Sequence, residues 1–261
     1  MGSWDPSFFR RSPLFWPIAG AAAELTSFSD WPSPEDLTRL FDGDPPVRFV
    51  RATRPAAASE PGRPRRRRAP LPADARYDAR IALEKIVSTR DASWHDLLNA
   101  LVWTAFPRAK MALHVRQHRM ITARLQDDLR LPGARTREQD AVAMLDEGGV
   151  VVVCPRERQV GLVEELSRQG AAWPGVPAMV ANGSAVAIVF GHALYEGLAR
   201  GGPTSVRGAA YVVGVEVVPS SGRARVEAAD RALADLLSRE PPIERTDFGT
   251  IAVEDRLGGP R

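Results

Sequence analysis

Apolar positions recur at two spacings along this chain, and the switch between them marks out its elements. In residues 94–105, WHDLLNALVWTA, the side chains of Trp94, Leu97, Leu98, Leu101, Val102 and Ala105 share one broad arc at about 100° per residue, as in an amphipathic helix. Ser93 stands at the N-cap with Asp96 three residues on, and Pro107 disfavours helical geometry at Phe106, so both ends are predicted as well. Comparable patterns predict helices over 34–41 (capped by Ser33), 79–87, 108–129, 137–145, 160–169, 192–199 and 226–239. Short apolar runs rich in β-branched residues predict strands over 47–50, 150–154 (VVVVC), 185–190 (AVAIVF) and 209–218 (AAYVVGVEVV).

Strands separated by helical stretches predict an α+β fold: a small mixed sheet with surrounding helices and an N-terminal arm packed on the main domain. The arm covers 1–53 and carries apolar anchors such as Phe8, Phe15, Trp16 and Trp31. Arg10 and Arg11 precede an apolar run interrupted by Pro13 and Pro17, which favours a core-packing arm over a secretory leader. Residues 54–74 are rich in Pro, Ala and Arg without hydrophobic periodicity, the pattern of a flexible linker or loop. The main α+β domain is expected over 75–240, followed by a poorly patterned tail, 241–261.

Composition narrows the class further. The chain has 261 residues, is 44% hydrophobic and 26% charged, and carries a formal charge of only +3, as globular proteins do. Among its basic residues only Lys85 and Lys110 are lysines, an arginine bias that speaks of coding rather than function. Cys154 stands alone, so no intramolecular disulfide and no cysteine-based zinc cluster can form, and a reducing, cytoplasmic setting is expected. No apolar run approaches the ~20 residues that a membrane span needs. The Arg65 to Arg68 tract has the charge to contact nucleic acid but no interleaved aromatic to stack a base, and a solvated tract is the favoured reading.

The chemistry concentrates at the starts of two helices. His95, Asp96, Asn99 and Trp103 lie together on the polar side of the 94–105 helix, where an ordinary solvent face would carry Glu, Lys, Arg or Gln. His192 follows a strand and Gly191 directly, in the first turn of the next helix, where the helix dipole favours a neutral imidazole. Asp146 and Glu147 sit at a turn into a strand, and Glu196 lies one turn beyond His192. In each case a hydrogen-bonded structural role is the alternative. His114 and His118, four residues apart, are read as a solvated helix face rather than a metal pair. HExxH, GxGxxG, Walker and GxSxG motifs are all absent, which removes the usual support for zinc-protease, dinucleotide, P-loop and α/β-hydrolase readings.

The segments Tyr77…Arg80-Ile81, Thr89-Arg90, Trp94-His95-Asp96-Leu97…Asn99-Ala100-Leu101-Val102-Trp103, Phe106-Pro107-Arg108…Lys110, Arg137…Asp140…Asp146-Glu147-Gly148 and Phe190-Gly191-His192-Ala193 together resemble a bacterial family known as domain of unknown function 3025. Trp31-Pro32 and Val47-Arg48-Phe49-Val50 extend the resemblance over most of the chain. It departs at Leu113-His114, where Leu-Asn is expected, and at Met144-Leu145 before Asp146, where a small polar residue and Phe are expected. The resemblance implies no reaction, so function rests on the residues.

Those residues favour a hydrolase-like enzyme. His95, Asp96, His192 and Glu147 are its catalytic candidates, acting by general acid/base chemistry or through a divalent metal ion held by His95, His192, Asp146 and Glu196. Asn99, Trp103, Lys110, Arg90 and Arg137 are the candidates for binding a small anionic substrate. The rival is a non-catalytic binding module, with nucleic acid as one partner through the arginine tract, whose polar groups form a fixed buried network. The two differ in geometry: an enzyme needs His95 and His192 in one solvent-connected cleft. Oligomeric state and metal identity have no signature here.

Overall fold

The computed structural model describes residues 3–52, 76–125, 135–167, 179–180, 182–202, 205–240 and 249–254. The arm opens with two 3-10 turns, Phe8–Arg11 and Pro13–Phe15, and the short helix α1, Ala19–Glu24. Helix α2, Pro34–Thr38, is closed by a reciprocal capping box between Ser33 and Asp36 and leads to strand β1, Arg48–Arg51. A helical turn α3, Tyr77–Ala79, runs into a π turn, Arg80–Glu84, and strand β2, Ile86–Thr89, pairs parallel to β1.

The helix predicted over 79–87 is therefore shorter than its pattern. Lys85 adopts the left-handed conformation (φ 59°), which ends the helical turn, and Ile86, Val87 and Thr89 then favour the extended backbone. Helix α4, Trp94–Ala105, has the predicted bounds, and α5, Pro107–Thr122, follows after the single residue Phe106. Helix α6, Arg137–Gly148, leads without a loop into β3, Gly149–Pro155. The expected linker at 54–74, with its arginine tract, lies outside the described residues.

Beyond β3 come α7, Arg156–Ser167, β4, Val186–Val189, α8, His192–Ala199, β5, Ser205–Val215, and α9, Gly222–Ser238. The chain ends its described part in β6, Gly249–Glu254, a strand in the region that sequence pattern left blank. The larger sheet has the order β4-β3-β5-β6, with β3 and β5 parallel and the outer pairs antiparallel, so the architecture is α+β with a mixed sheet. Val150 to Val153 are fully buried on both faces, which is why β3 reads as an unbroken apolar run rather than an alternating one. Along β5, the other inner strand, burial alternates over much of its length instead. Among the described residues no helix is long and apolar enough to cross a membrane.

The arm packs where α4 meets α8. Phe8 and Trp31 meet the Trp94 ring edge-on at 5.1 and 4.9 Å, and Phe15 stacks on Tyr195 at 5.4 Å. Arg11 donates to the Ala199 carbonyl, satisfying an orphan acceptor at the end of α8. One cluster of arm aromatics thus holds both helices that begin with the conspicuous histidines.

Gly191 sets the distance between β4 and the α6–β3 junction. Its N–H and that of Phe190 both donate to the Gly149 carbonyl at 2.9 Å, and a Cβ at 191 would lie 2.5 Å from the Glu147 carbonyl oxygen and the Gly149 nitrogen. The constraint is space, since φ is an ordinary −66°. Gly191→Ala is expected to lower stability in urea unfolding by about 1–3 kcal/mol, the usual cost of overpacking. Unchanged stability would show that the junction relaxes freely.

Candidate metal centre

His95 is the second residue of α4. The Ser93 hydroxyl accepts the Asp96 N–H at 3.3 Å, which closes the cap with a serine alone. The Asp96 carboxylate turns instead to the preceding loop and accepts from the Arg90 N–H at 2.6 Å and its guanidinium at 2.6 and 3.0 Å. The same carboxylate accepts a bond from His95 Nδ1 at 3.1 Å. With its Nδ1 proton committed, His95 presents Nε2 outward.

His192 opens α8 directly after Gly191. Its Nδ1–H donates to the Asp146 carbonyl at 2.9 Å, so its Nε2 is the free nitrogen. The two Nε2 atoms lie 3.1 Å apart although the residues are 97 positions apart in sequence, and the rings stand nearly perpendicular at 89°. The Glu147 carboxylate completes a triangle, 3.4 Å from His192 Nε2 and 3.9 Å from His95 Nε2. The His192 side chain is only 3% exposed, but His95 is 38% and Glu147 52% exposed, so solvent reaches the triangle from one side.

The electrostatics separate the two imidazoles. Burial pushes His192 down to about 4, helped by the charges of Lys110 and His95 and opposed by Asp146, so it is neutral near pH 7. The hydrogen bond to Asp96 raises the pKa of His95, against partial burial. Burial pushes Asp96 up, but the bonds from His95 and Arg90 outweigh it and hold the carboxyl well below the ordinary range. Burial also opposes ionisation of Asp146, yet the adjacent Lys110 ammonium holds it well below that range. Glu147 is raised by burial and by the Asp146 charge.

Two nitrogen lone pairs facing each other at 3.1 Å repel, so a proton or a cation belongs between them. A metal fits the donor set. Tetrahedral bonds of ~2.0–2.1 Å place neighbouring ligand atoms about 3.3 Å apart, and the edges here are 3.1, 3.4 and 3.9 Å. Among the described residues His95, Glu147 and His192 form the group able to ligate in this way. Each imidazole also has its far nitrogen fixed by a carboxylate or carbonyl oxygen, the arrangement that orients metal-binding histidines.

The other candidate residues fall into different places. Asp146 and Glu196, expected as ligands, lie outside the triangle: the Asp146 carboxylate accepts from Lys110 at 2.5 Å, and Glu196 pairs with Arg200 at 2.5 Å. Asn99, Trp103 and Lys110, expected to bind substrate, are buried behind the histidines. The Lys110 ammonium donates to Asn99 Oδ1 at 2.7 Å, and Asn99 donates to the Tyr77 hydroxyl at 3.3 Å. Trp103 is fully buried and stacks flat on His114 at 5.6 Å. Arg90 spends its guanidinium on Asp96, and Arg137 is exposed at the opposite end of α6, about 15 Å along the helix from Glu147. His114 bonds Asp78 Oδ1 at 2.8 Å. Neither Tyr77 nor Asp78 was singled out as a site residue, because only the return of α3 against α5 brings them here.

The molecule is thus an α+β protein with a two-histidine, one-carboxylate centre where α4, α8 and the α6–β3 junction meet. A family model described as a protein of unknown function (DUF3025) matches residues 67–248, and the chain belongs to that family. No curated protein and no solved structure matches it.

The lowered native pKa of Asp96 fixes the sign of a pH effect. Its ionised form contributes stability above its unfolded value near ~4, and that share is lost as pH falls below it. Asp96→Asn is expected to be less stable than wild type at pH 7 and to lose less on acidification from pH 5 to 3, measured by urea unfolding. Parallel pH curves for the two proteins would contradict the charge pairing.

Proposed function

We propose that the chain is a hydrolase-like enzyme in which His95, His192 and Glu147 hold a divalent metal ion of the zinc class. What carries the reading is the pair of facing Nε2 atoms, each aimed by an oxygen on its far nitrogen. With His95, His192 and Glu147 as its three protein ligands, a metal of this class would supply Lewis acidity to activate water at the position they leave open. The exposed side of His95 and Glu147 is where substrate would approach. With one carboxylate ligand a divalent centre keeps net positive charge, which favours an anionic substrate without help from Arg90, Arg137 or Lys110. Asp96 and the Asp146 carbonyl keep both imidazoles in the ligating tautomer.

One observation favours the non-catalytic reading. Lys110 donates to both Asn99 and Asp146 behind the centre, and these groups serve structure first. In that case the metal would be bound without turnover.

The tests are metal analysis of purified protein, calorimetric zinc titration, and hydrolysis of p-nitrophenyl phosphate and carboxylate esters. The enzyme reading predicts about one zinc per chain and zinc-dependent hydrolysis, with both lost in His95→Ala and His192→Ala. His95→Ala should cost little stability because its side chain is partly exposed, whereas His192→Ala should cost more. Zinc affinity unchanged in both variants would refute the centre, and stoichiometric zinc without hydrolysis would favour the binding module.

A further inference from the structure

Lys110 is an ammonium with 0% side-chain exposure, in a chain that has only one other lysine. Carrying a charge out of water costs several kcal/mol unless its donors are met, and here two oxygens from different elements meet them. Asn99 Oδ1 on α4 accepts at 2.7 Å, and Asp146 Oδ1 in the last turn of α6 accepts at 2.5 Å. The ammonium also lies 5.7 Å from the centre of the Trp103 ring, a favourable cation–π contact. Lys110 thus joins the helix that carries His95 to the turn that carries Glu147.

Asp146 is also the residue that aims His192, through its backbone carbonyl, and Glu147 is its neighbour in the chain. A shift of the Asp146 backbone therefore moves two of the three donors at once. On the side of His95 the corresponding pair is Arg90 and Asp96, which is exposed at Arg90 and visible at the surface. The pair on the side of His192 is fully buried at Lys110 and largely covered at Asp146, and nothing in the proposed chemistry uses it directly.

We propose that Lys110 is a positioning residue for the metal centre: by clamping Asp146 against Asn99 it holds His192 and Glu147 in ligating geometry with His95. This rests on the metal reading above. Loss of a group that supports a metal ligand typically weakens metal affinity 10–100-fold.

The test is Co(II) titration of the full chain, reading both the dissociation constant and the d–d absorption bands, which report coordination geometry. Wild type should bind one Co(II) with a spectrum of low coordination number. Lys110→Met, still folded by circular dichroism and cooperative melting, should bind 10–100-fold more weakly with altered bands. A folded Lys110→Met with wild-type affinity and spectrum overturns the proposal. If that variant does not fold, Asn99→Ala decides, since it removes one of the two oxygens that fix the ammonium and leaves the pair with Asp146. It should bind several-fold more weakly with shifted bands, and wild-type behaviour overturns the proposal. A wild-type chain that takes up no Co(II) overturns the metal reading itself, so the two failures are distinct.

Discussion

The approach of two histidine Nε2 atoms to 3.1 Å is the contact on which the rest of this structure bears. Nothing local favours it, because the residues lie 97 positions apart and the facing lone pairs repel without a proton or cation between them. The fold imposes it by three means. The arm aromatics fasten Trp94 and Tyr195, and with them α4 and α8, into one cluster. The bare Gly191 lets β4 run tight against the α6–β3 junction. The buried Lys110 ties that junction back to α4.

Each imidazole is then aimed by a different kind of acceptor, and the difference has consequences. His95 leans on a carboxylate that is itself held by Arg90, which raises its pKa and leaves it partly in solvent. His192 leans on a neutral backbone carbonyl in a buried setting, which keeps it uncharged at neutral pH. A centre with one solvent-facing and one sealed imidazole is open on one side only, as binding of a metal together with an exchangeable ligand requires.

Much of this was legible in the sequence, and the misreadings have physical causes. The bounds of α4 followed from its cap, its apolar arc and Pro107, and the buried run of β3 from its continuous valines. Strands β2 and β6 escaped although they are no shorter than β1 and β4, which the pattern predicts. The Ile86 to Thr89 segment abuts a helical turn, and β6 owes its place to pairing with β5. His95 and His192 stood out as unusual residues at helix starts, and Glu147 as an acid at a turn. Asn99, Trp103 and Lys110 are buried where the pattern suggested a solvent-facing stripe, for one shared reason. Periodicity separates polar from apolar faces of a helix, but it does not tell water from a second polar element, and here α5 and α6 cover that face. Arg90 was expected to face a substrate, and only the fold shows that Asp96 occupies it.

The claim that His95, His192 and Glu147 form a metal centre is tested most directly by anomalous scattering at the zinc edge from crystals grown with zinc. One strong peak is expected, bounded by His95 Nε2, His192 Nε2 and the Glu147 carboxylate. An empty triangle in crystals that hold zinc elsewhere, with the two imidazoles bonded only to each other, would contradict it.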